Sequence, residues 1–318
     1  MRLFAVLLSA AASAAADFPT AEISNGVVTA KIYLPDARRG YYRGTRFDWS
    51  GQIFSLKTLG HEYFGVWNPA PYDPKLHDTI TGPVEEFRSS DSALGYHEAA
   101  PGGTFVRIGV GALRKPVGDA KYENFRTFEI ADSGEWKVKR GRDWIAFTHT
   151  LKNAAGYGYR YTKTLRLVKG KSVMRIEHTL ENTGSKHIAT QQYNHNFFVM
   201  DGLPTGPASH VKFAFPLTAA GPLRNPEYAE VNGGEISYKK ELPPGQSFFG
   251  RFAGGPNYDI EMSNKQAGMG VRIMGDRPIA SIVYWSIRST FCPEAYIDLA
   301  VEPGKKTDWT YTYEFRKL

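Results

Sequence analysis

Apolar and polar residues alternate along most of the chain with a period of two, which is the pattern of strands that bury one face. The alternation is clearest over residues 157–168 and 172–180, and a turn at Gly170-Lys171 separates these two runs. An earlier run, residues 21–33, contains Asn25-Gly26, a dipeptide that favours a hairpin turn. Further strand-like runs cover residues 103–113, 144–151, 211–215, 234–239, 258–262, 270–274, 279–284, 296–301 and 309–315.

These runs predict an all-β protein. More than ten short strands separated by turn signals are typical of a large antiparallel sandwich or barrel. We find no long amphipathic helix, and residues 72–78 and 222–229 are expected to be irregular loops. The chain has no internal repeat of fixed period and no linker rich in Pro, Gly or Ser, so we predict one domain over residues 17–318.

The first residues have the layout of a secretory signal peptide. Arg2 is followed by an apolar core at residues 3–8, and small residues at 11–16 end before Asp17. We therefore expect a signal peptide over residues 1–16 and a secreted or periplasmic mature protein. The apolar core is too short to cross a bilayer, and no later stretch is long and apolar enough to do so.

Composition and charge narrow the class of function. Of 318 residues, 42% are hydrophobic and 14% aromatic, which is enough for a sizeable core. The single cysteine, Cys292, excludes a disulfide within the chain. The net charge of +7 is spread along the chain, which argues against a nucleic-acid partner. The positive charge is weak support for an anionic sugar as ligand.

The sequence lacks the motifs of several common enzyme classes. It contains no P-loop, no dinucleotide-binding glycine pattern, no H-E-x-x-H and no G-x-S-x-G. The eight histidines lack the spacing of metal ligands. We therefore predict no cofactor and no metal.

The first candidate segment is residues 41–51, which combines aromatic and charged side chains. Sugars bind to flat aromatic faces and to planar groups that hydrogen-bond to pairs of hydroxyls. Trp49 offers the first, and Arg43, Arg46 and Asp48 offer the second. The alternative is a surface loop with ion-paired arginines.

The second candidate segment is residues 82–98. Glu85 and Glu86 are adjacent, so on an extended chain they point to opposite faces and only one can enter a site. His97 with Glu98 is a possible acid–base pair, and an ordinary surface histidine is an equal alternative.

The third candidate segment is residues 191–198. His195 lies among amides and aromatic residues, including Tyr193 and Asn194, and histidine is well matched to proton transfer near neutral pH. Asn194 and Asn196 could orient the imidazole or bind sugar hydroxyls. A core histidine satisfied by the amides is the alternative.

The fourth candidate segment is residues 291–302. Glu294 follows Pro293, a residue suited to a strand start or an edge strand, and Tyr296 and Asp298 alternate from there. A carboxyl surrounded by aromatic residues can have a raised pKa and act as a base. Taken alone, Glu294 would more often be an exposed charge.

Two of these segments resemble the aldose 1-epimerase (galactose mutarotase) family. Residues 180–184 (L-E-N-T-G) with 193–198 (Y-N-H-N-F-F) are similar to a strand ending in N-T-G followed by N-H-x-Y-F. Residues 292–296 (C-P-E-A-Y) with 301–304 (V-E-P-G) are similar to the family's C-terminal pattern. Order and spacing agree over residues 172–315, roughly half of the chain.

The resemblance implies a large antiparallel β-supersandwich with a sugar in a groove. It implies that Glu294 is the catalytic base and His195 the catalytic acid, with Arg46 or Arg43 near the sugar hydroxyls. The family usually carries another histidine in an earlier N-H-x-H-G-like stretch, which this chain lacks, so His97, or no residue, would have to replace it. The segment at residues 41–49 points to an outlying branch.

The implied reaction is anomer interconversion by acid–base ring opening, with a bell-shaped pH dependence. Glu86 and His97 complete the candidate substrate-binding residues, and a carbohydrate is the expected partner. Two other hypotheses stay open: a non-catalytic carbohydrate-binding protein, and a polysaccharide lyase or accessory protein on the same scaffold.

Overall fold

A computed structural model describes residues 18–68, 70–118 and 121–318. The segment predicted to be a signal peptide lies outside these residues. Strands make up most of the described chain, and its only helices are two 3-10 turns, His77–Thr79 and Met200–Gly202. No helix in these three ranges is long and apolar enough to cross a membrane.

The strands are numbered in chain order. They are β1 (Thr20–Ser24), β2 (Thr29–Tyr33), β3 (Gln52–Thr58), β4 (His61–Glu62), β5 (Val84–Arg88), β6 (Thr104–Arg107), β7 (Gly111–Arg114), β8 (Ile130–Asp132), β9 (Glu135–Arg140), β10 (Trp144–Ala154), β11 (Tyr157–Leu167), β12 (Val173–Asn182), β13 (Ile188–His195), β14 (Ser209–Phe213), β15 (Ala229–Asn232), β16 (Glu235–Tyr238), β17 (Ser247–Gly255), β18 (Asp259–Asn264), β19 (Met269–Gly275), β20 (Ile279–Ile287), β21 (Thr290–Val301) and β22 (Lys306–Lys317).

Two antiparallel sheets form the body of the molecule. One has ten strands in the order β15-β16-β14-β18-β19-β22-β12-β11-β10-β9, and the other has five in the order β17-β20-β21-β13-β5. Smaller sheets, β1-β2-β3-β4 and β6-β7-β8, complete the fold. The all-β, antiparallel architecture predicted from the alternation is therefore confirmed.

The main core lies between the two large sheets. Phe87 of β5 packs edge-on against Tyr161 of β11, with ring centroids 5.3 Å apart. The Tyr311 hydroxyl of β22 donates a hydrogen bond to Gln192 Oε1 of β13 over 2.6 Å. Burial on β11 and β12 alternates residue by residue, so these strands bury one face in the core, as their sequence pattern predicted.

Two local predictions need correction. Residues 103–113 are not one strand but a hairpin, β6 and β7, because Gly109 and Gly111 adopt positive φ angles and turn the chain. The strand predicted at residues 296–301 begins earlier, at Thr290, so Pro293 and Glu294 lie inside β21. The predicted hairpin at Asn25-Gly26 is confirmed by the pairing of β1 with β2.

Pro293 is tolerated inside β21 because one side of this strand is unpaired there. The regular ladder between β13 and β21 ends at the pair Gln192↔Ile297, and it resumes only as a single bridge, Phe198↔Phe291. A proline lacks the N–H that a full ladder would require. The gap between the strands is also where the candidate site lies.

Candidate functional site

The outward face of the five-stranded sheet holds a cavity of about 260 Å³. The pairs Gln192↔Ile297 and Phe198↔Phe291 have the same register. This register places His195 of β13 opposite Glu294 of β21. Val283 of β20 pairs with Glu294, and Arg251 of β17 pairs with Val283. Strand alternation thus brings these four side chains into one row that forms the floor of the cavity.

His195 and Glu294 are in contact at the floor of this cavity. His195 Nε2 lies 3.3 Å from Glu294 Oε1, and the two side chains are only 4% and 7% exposed. The imidazole stacks on the Phe197 ring with centroids 3.6 Å apart, and its Nδ1 has no hydrogen-bond partner among the described residues. The structure therefore brings together the two residues that the resemblance matched to an acid and a base.

Burial makes both groups favour their neutral forms. It raises the pKa of the Glu294 carboxyl to about 8, with Arg46 opposing the shift and Glu86 adding to it. Burial lowers the pKa of His195 well below its usual value, and the nearby Arg46 and His77 side chains lower it further. At neutral pH the pair consequently holds one transferable proton, which resides mainly on the carboxyl.

Arg46 is held beside this pair by buried partners. Its Nε donates to Glu86 Oε2 over 2.8 Å, and its Nη2 donates to the Tyr193 hydroxyl over 3.0 Å. The Tyr193 hydroxyl in turn donates to Glu86 Oε2. Arg107 Nη1 lies 3.6 Å from Glu86 Oε1. Glu86 and Tyr193 therefore orient Arg46 from behind and do not themselves line the cavity.

Aromatic side chains form the walls of the cavity. Trp285 of β20 stands edge-on to His195 at 5.5 Å, and Tyr296 of β21 stacks on Tyr193 at 4.4 Å. Phe125 is 60% exposed, and its ring lies 4.7 Å from the Arg46 guanidinium. Phe249 of β17 also lines the cavity. The partly exposed faces of Phe125, Phe249 and Trp285 suit the apolar side of a sugar ring.

Polar groups from loops and strands complete the lining. His77 Nε2 lies 3.0 Å from Asp78 Oδ1 in the 3-10 turn, and Asn124 accepts a hydrogen bond of 3.0 Å from Arg107. Arg88 of β5 and Arg251 of β17 add two guanidinium groups. In the part of the chain that the structure describes, no group of three or more His, Cys, Asp or Glu residues could hold a metal ion.

Two candidates from residues 41–51 are buried elsewhere. Trp49 is fully buried and donates its indole N–H to Gly44 O over 2.8 Å. Asp48 is 1% exposed and pairs with Lys163 Nζ at 2.7 Å. The density of aromatic and charged residues in this segment reflects packing and a buried ion cluster, so neither side chain is placed to contact a ligand.

Asn194 faces the opposite side of its sheet from His195. Its Nδ2 donates to the Tyr313 hydroxyl over 3.0 Å, in the layer between the two large sheets. Alternation along β13 dictates this placement, because neighbouring residues on a strand point to opposite faces. The expectation that Asn194 binds substrate is therefore not supported by its position.

Arg43 and His97 also lie outside the cavity. Arg43 Nη1 donates to Arg38 O over 2.7 Å, which leaves Arg46 as the arginine that lines the cavity. His97 is 65% exposed, pairs with Asp91 at 2.9 Å, and borders a separate groove. It does not replace the histidine that the family carries in an earlier stretch.

Sequence reasoning missed several lining residues. Those not singled out as candidates are His77, Asp78, Arg88, Asn124, Phe125, Phe249, Arg251, Val283 and Trp285. Alternation along β20 places Trp285 on the same face of the sheet as Val283, so the sequence pattern could have predicted which face Trp285 occupies. That pattern could not reveal which other strand lies beside β20.

No protein-family model and no curated protein matches this chain. Its fold nevertheless matches solved structures. A galactose mutarotase-like protein from Clostridium acetobutylicum is 12% identical, with a TM-score of 0.57 over 93% of this chain and 95% of that one. A galactose mutarotase-like protein from Lactobacillus casei is 14% identical, with a TM-score of 0.55 over 93% and 100%.

An aldose epimerase homologue from C. elegans is 12% identical, with a TM-score of 0.53 over 95% of this chain and 100% of that one. These similarities extend over nearly the whole chain, and they establish its fold. The protein thus has the galactose mutarotase-like β-sandwich architecture that the sequence resemblance implied.

Proposed function

We propose that this protein interconverts the anomers of a free aldose, with Glu294 and His195 as the acid–base pair. The observation that carries the proposal is the 3.3 Å contact between His195 Nε2 and Glu294 Oε1 on the floor of the cavity. A carboxyl and an imidazole at this separation can act on two oxygens of one sugar ring.

The proposed reaction needs one proton removed and one supplied. Glu294, as carboxylate, takes the proton from the anomeric hydroxyl, and His195, as imidazolium, gives a proton to the ring oxygen. The bond between the anomeric carbon and the ring oxygen breaks, and the anomeric carbon becomes an aldehyde. After rotation about the neighbouring carbon–carbon bond, the ring closes on the other face and both proton transfers reverse.

The resting pair can reach this state by internal transfer. The proton on Glu294 moves to His195 across their contact, leaving a carboxylate that Arg46 stabilises. The opposite division of roles, with neutral His195 as base and protonated Glu294 as acid, uses the same single proton. The two arrangements differ only in which residue holds the shared proton. The pH dependence of the rate is therefore a property of the pair and not of either residue alone.

The surroundings support a sugar as ligand. The volume of about 260 Å³ suits a ligand as small as one monosaccharide, and Trp285, Phe125 and Phe249 offer faces for its apolar side. Arg46 is already oriented by Glu86 and Tyr193, so it can bind a hydroxyl with little further ordering.

The test is proton NMR of freshly dissolved α-anomers of glucose, galactose and less common aldoses. Wild-type protein should speed the approach to equilibrium, and Glu294→Gln should lower the rate by about 10²- to 10⁴-fold, the typical contribution of one acid–base group. The matched control is Glu22→Gln, on the exposed face of β1, which should leave the rate unchanged.

Acceleration that survives in Glu294→Gln would contradict the assigned role. Line broadening without acceleration for any sugar would instead favour a carbohydrate-binding protein. If an anionic polysaccharide were cleaved with a rise in ultraviolet absorbance, the lyase hypothesis would replace the proposal.

A further inference from the structure

One end of the cavity carries two arginines that flank a single aromatic ring. The Arg224 guanidinium carbon lies 5.1 Å from the centroid of the Phe249 ring, and that of Arg251 lies 5.7 Å from the same centroid. Phe249 and Arg251 line both the cavity with Glu294 and a neighbouring depression that also contains Arg224. The two guanidinium groups therefore lie where the cavity and the depression meet.

The backbone fixes this arrangement. Residues 219–224 run along the outer edge of β17, with Arg224 N donating to Phe249 O and Ala220 N donating to Arg251 O, each over 2.8 Å. Arg251 lies two strands from Glu294 in the same row, or about 10 Å between backbones at a strand spacing near 4.8 Å. A sugar bound along this row with its anomeric centre at Glu294 would place its far end near Arg251.

Both arginines lack an acidic partner. Within residues 18–68, 70–118 and 121–318, neither Arg224 nor Arg251 has a carboxylate oxygen within 4.0 Å, and both side chains are exposed. The other two cavity arginines differ. Arg46 and Arg88 both lie near Glu86, at 2.8 and 4.0 Å. This end of the cavity therefore presents two guanidinium groups that form no ion pair within the described residues.

We propose that Arg224 and Arg251 bind an anionic group on the sugar, so that the preferred substrate is an acidic aldose bearing a carboxylate, sulfate or phosphate remote from its anomeric centre. Guanidinium groups form paired, charge-assisted hydrogen bonds with such oxyanions. As a statement about substrate class, the inference rests on the proposed function; as a statement about binding, it can be tested without turnover.

The experiment compares glucose, glucuronate and glucose 6-phosphate in the NMR assay and by isothermal titration calorimetry. Wild-type protein should bind at least one acidic sugar about tenfold or more tightly than glucose at low salt. This preference should shrink as the salt concentration rises. A gain with glucuronate alone identifies a carboxylate ligand, and a gain with glucose 6-phosphate alone identifies a tetrahedral oxyanion.

The test variant carries both Arg224→Gln and Arg251→Gln. The matched control is Arg175→Gln, on the exposed face of β12. The double variant should lose at least tenfold more affinity for the acidic sugar than for glucose, whereas Arg175→Gln should not change the ratio. A wild-type protein without preference for either acidic sugar overturns the inference, as does a preference that persists in the double variant. If no sugar is turned over but arginine-dependent binding remains, the proposed function fails and the anion site stands.

Discussion

His195 and Glu294 show how burial decides what two titratable residues can do. An exposed carboxyl and an exposed imidazole would both be charged near pH 6, whereas this pair is pushed toward neutrality by the removal of water. The side chains were identifiable from the sequence because each lies in a motif resembling a known family. Their protonation was not identifiable, because it depends on burial in the folded protein and on Arg46 and Glu86, which come from other segments.

We predict that the catalysed rate has a bell-shaped dependence on pH. The one-proton form of the pair exists between the two pKa values, so the rate should fall above about pH 8, where Glu294 ionises. It should also fall at a pH below the usual imidazole range, where His195 becomes protonated as well. Polarimetry at constant ionic strength, corrected for the uncatalysed reaction, measures both limbs. A rate that keeps rising from pH 8 to pH 10 would contradict the assignment.

At the scale of elements, period-two alternation predicted much of the fold but not which strands are neighbours. It correctly predicts opposite faces for Glu85 and Glu86, and β5 sends the first into the core and the second toward Arg46. Asp48 and Trp49 were predicted to contact a sugar because buried ion clusters, aromatic cores and sugar sites contain the same residue types. The partner that resolves the ambiguity, Lys163, lies on β11, more than a hundred residues further along the chain.

Lys163 joins the loop that carries Arg46 to the strand that carries Glu86. Its Nζ lies 2.7 Å from Asp48 Oδ2 and 2.6 Å from Glu85 Oε2, and it donates to Ser50 O over 2.9 Å. Replacing it with methionine would leave two buried carboxylates without their cation. We expect Lys163→Met to lower the free energy of unfolding by about 3–5 kcal/mol, measured by urea denaturation.

The matched control for this prediction is Lys152→Met, whose ammonium is 84% exposed and 3.8 Å from Glu135. It should change the free energy of unfolding by no more than about 1 kcal/mol. Adding Glu85→Gln to Lys163→Met should recover part of the loss, because one unpaired charge is removed. Equal effects of the two single lysine variants would show that the buried cluster contributes no more than a surface pair.

At the scale of the whole molecule, the candidate site reduces stability. Glu294 has a pKa near 4.5 when exposed and about 8 in the fold, so between these values the folded state holds a proton that the unfolded state has released. Stability therefore declines as pH rises through this window, and the full cost is present above pH 8. A shift of this size corresponds to a few kcal/mol, on the order of 1.4 kcal/mol per pKa unit.

Glu294→Gln should consequently raise the melting temperature, and the gain should depend on pH. Glutamine cannot ionise, so we expect little difference from wild type at pH 4.5, a growing gain between pH 5 and pH 8, and a constant gain above it. Calorimetric melting curves of both proteins across this range provide the measurement, and Glu22→Gln on exposed β1 should show no such trend.

A Glu294→Gln variant that loses activity while gaining stability at high pH would show that the burial of Glu294 serves function, because folding alone would favour its replacement. A gain that is the same at pH 4.5 and pH 9 would show instead that the glutamine merely packs better, and that the carboxyl is not held neutral by the fold.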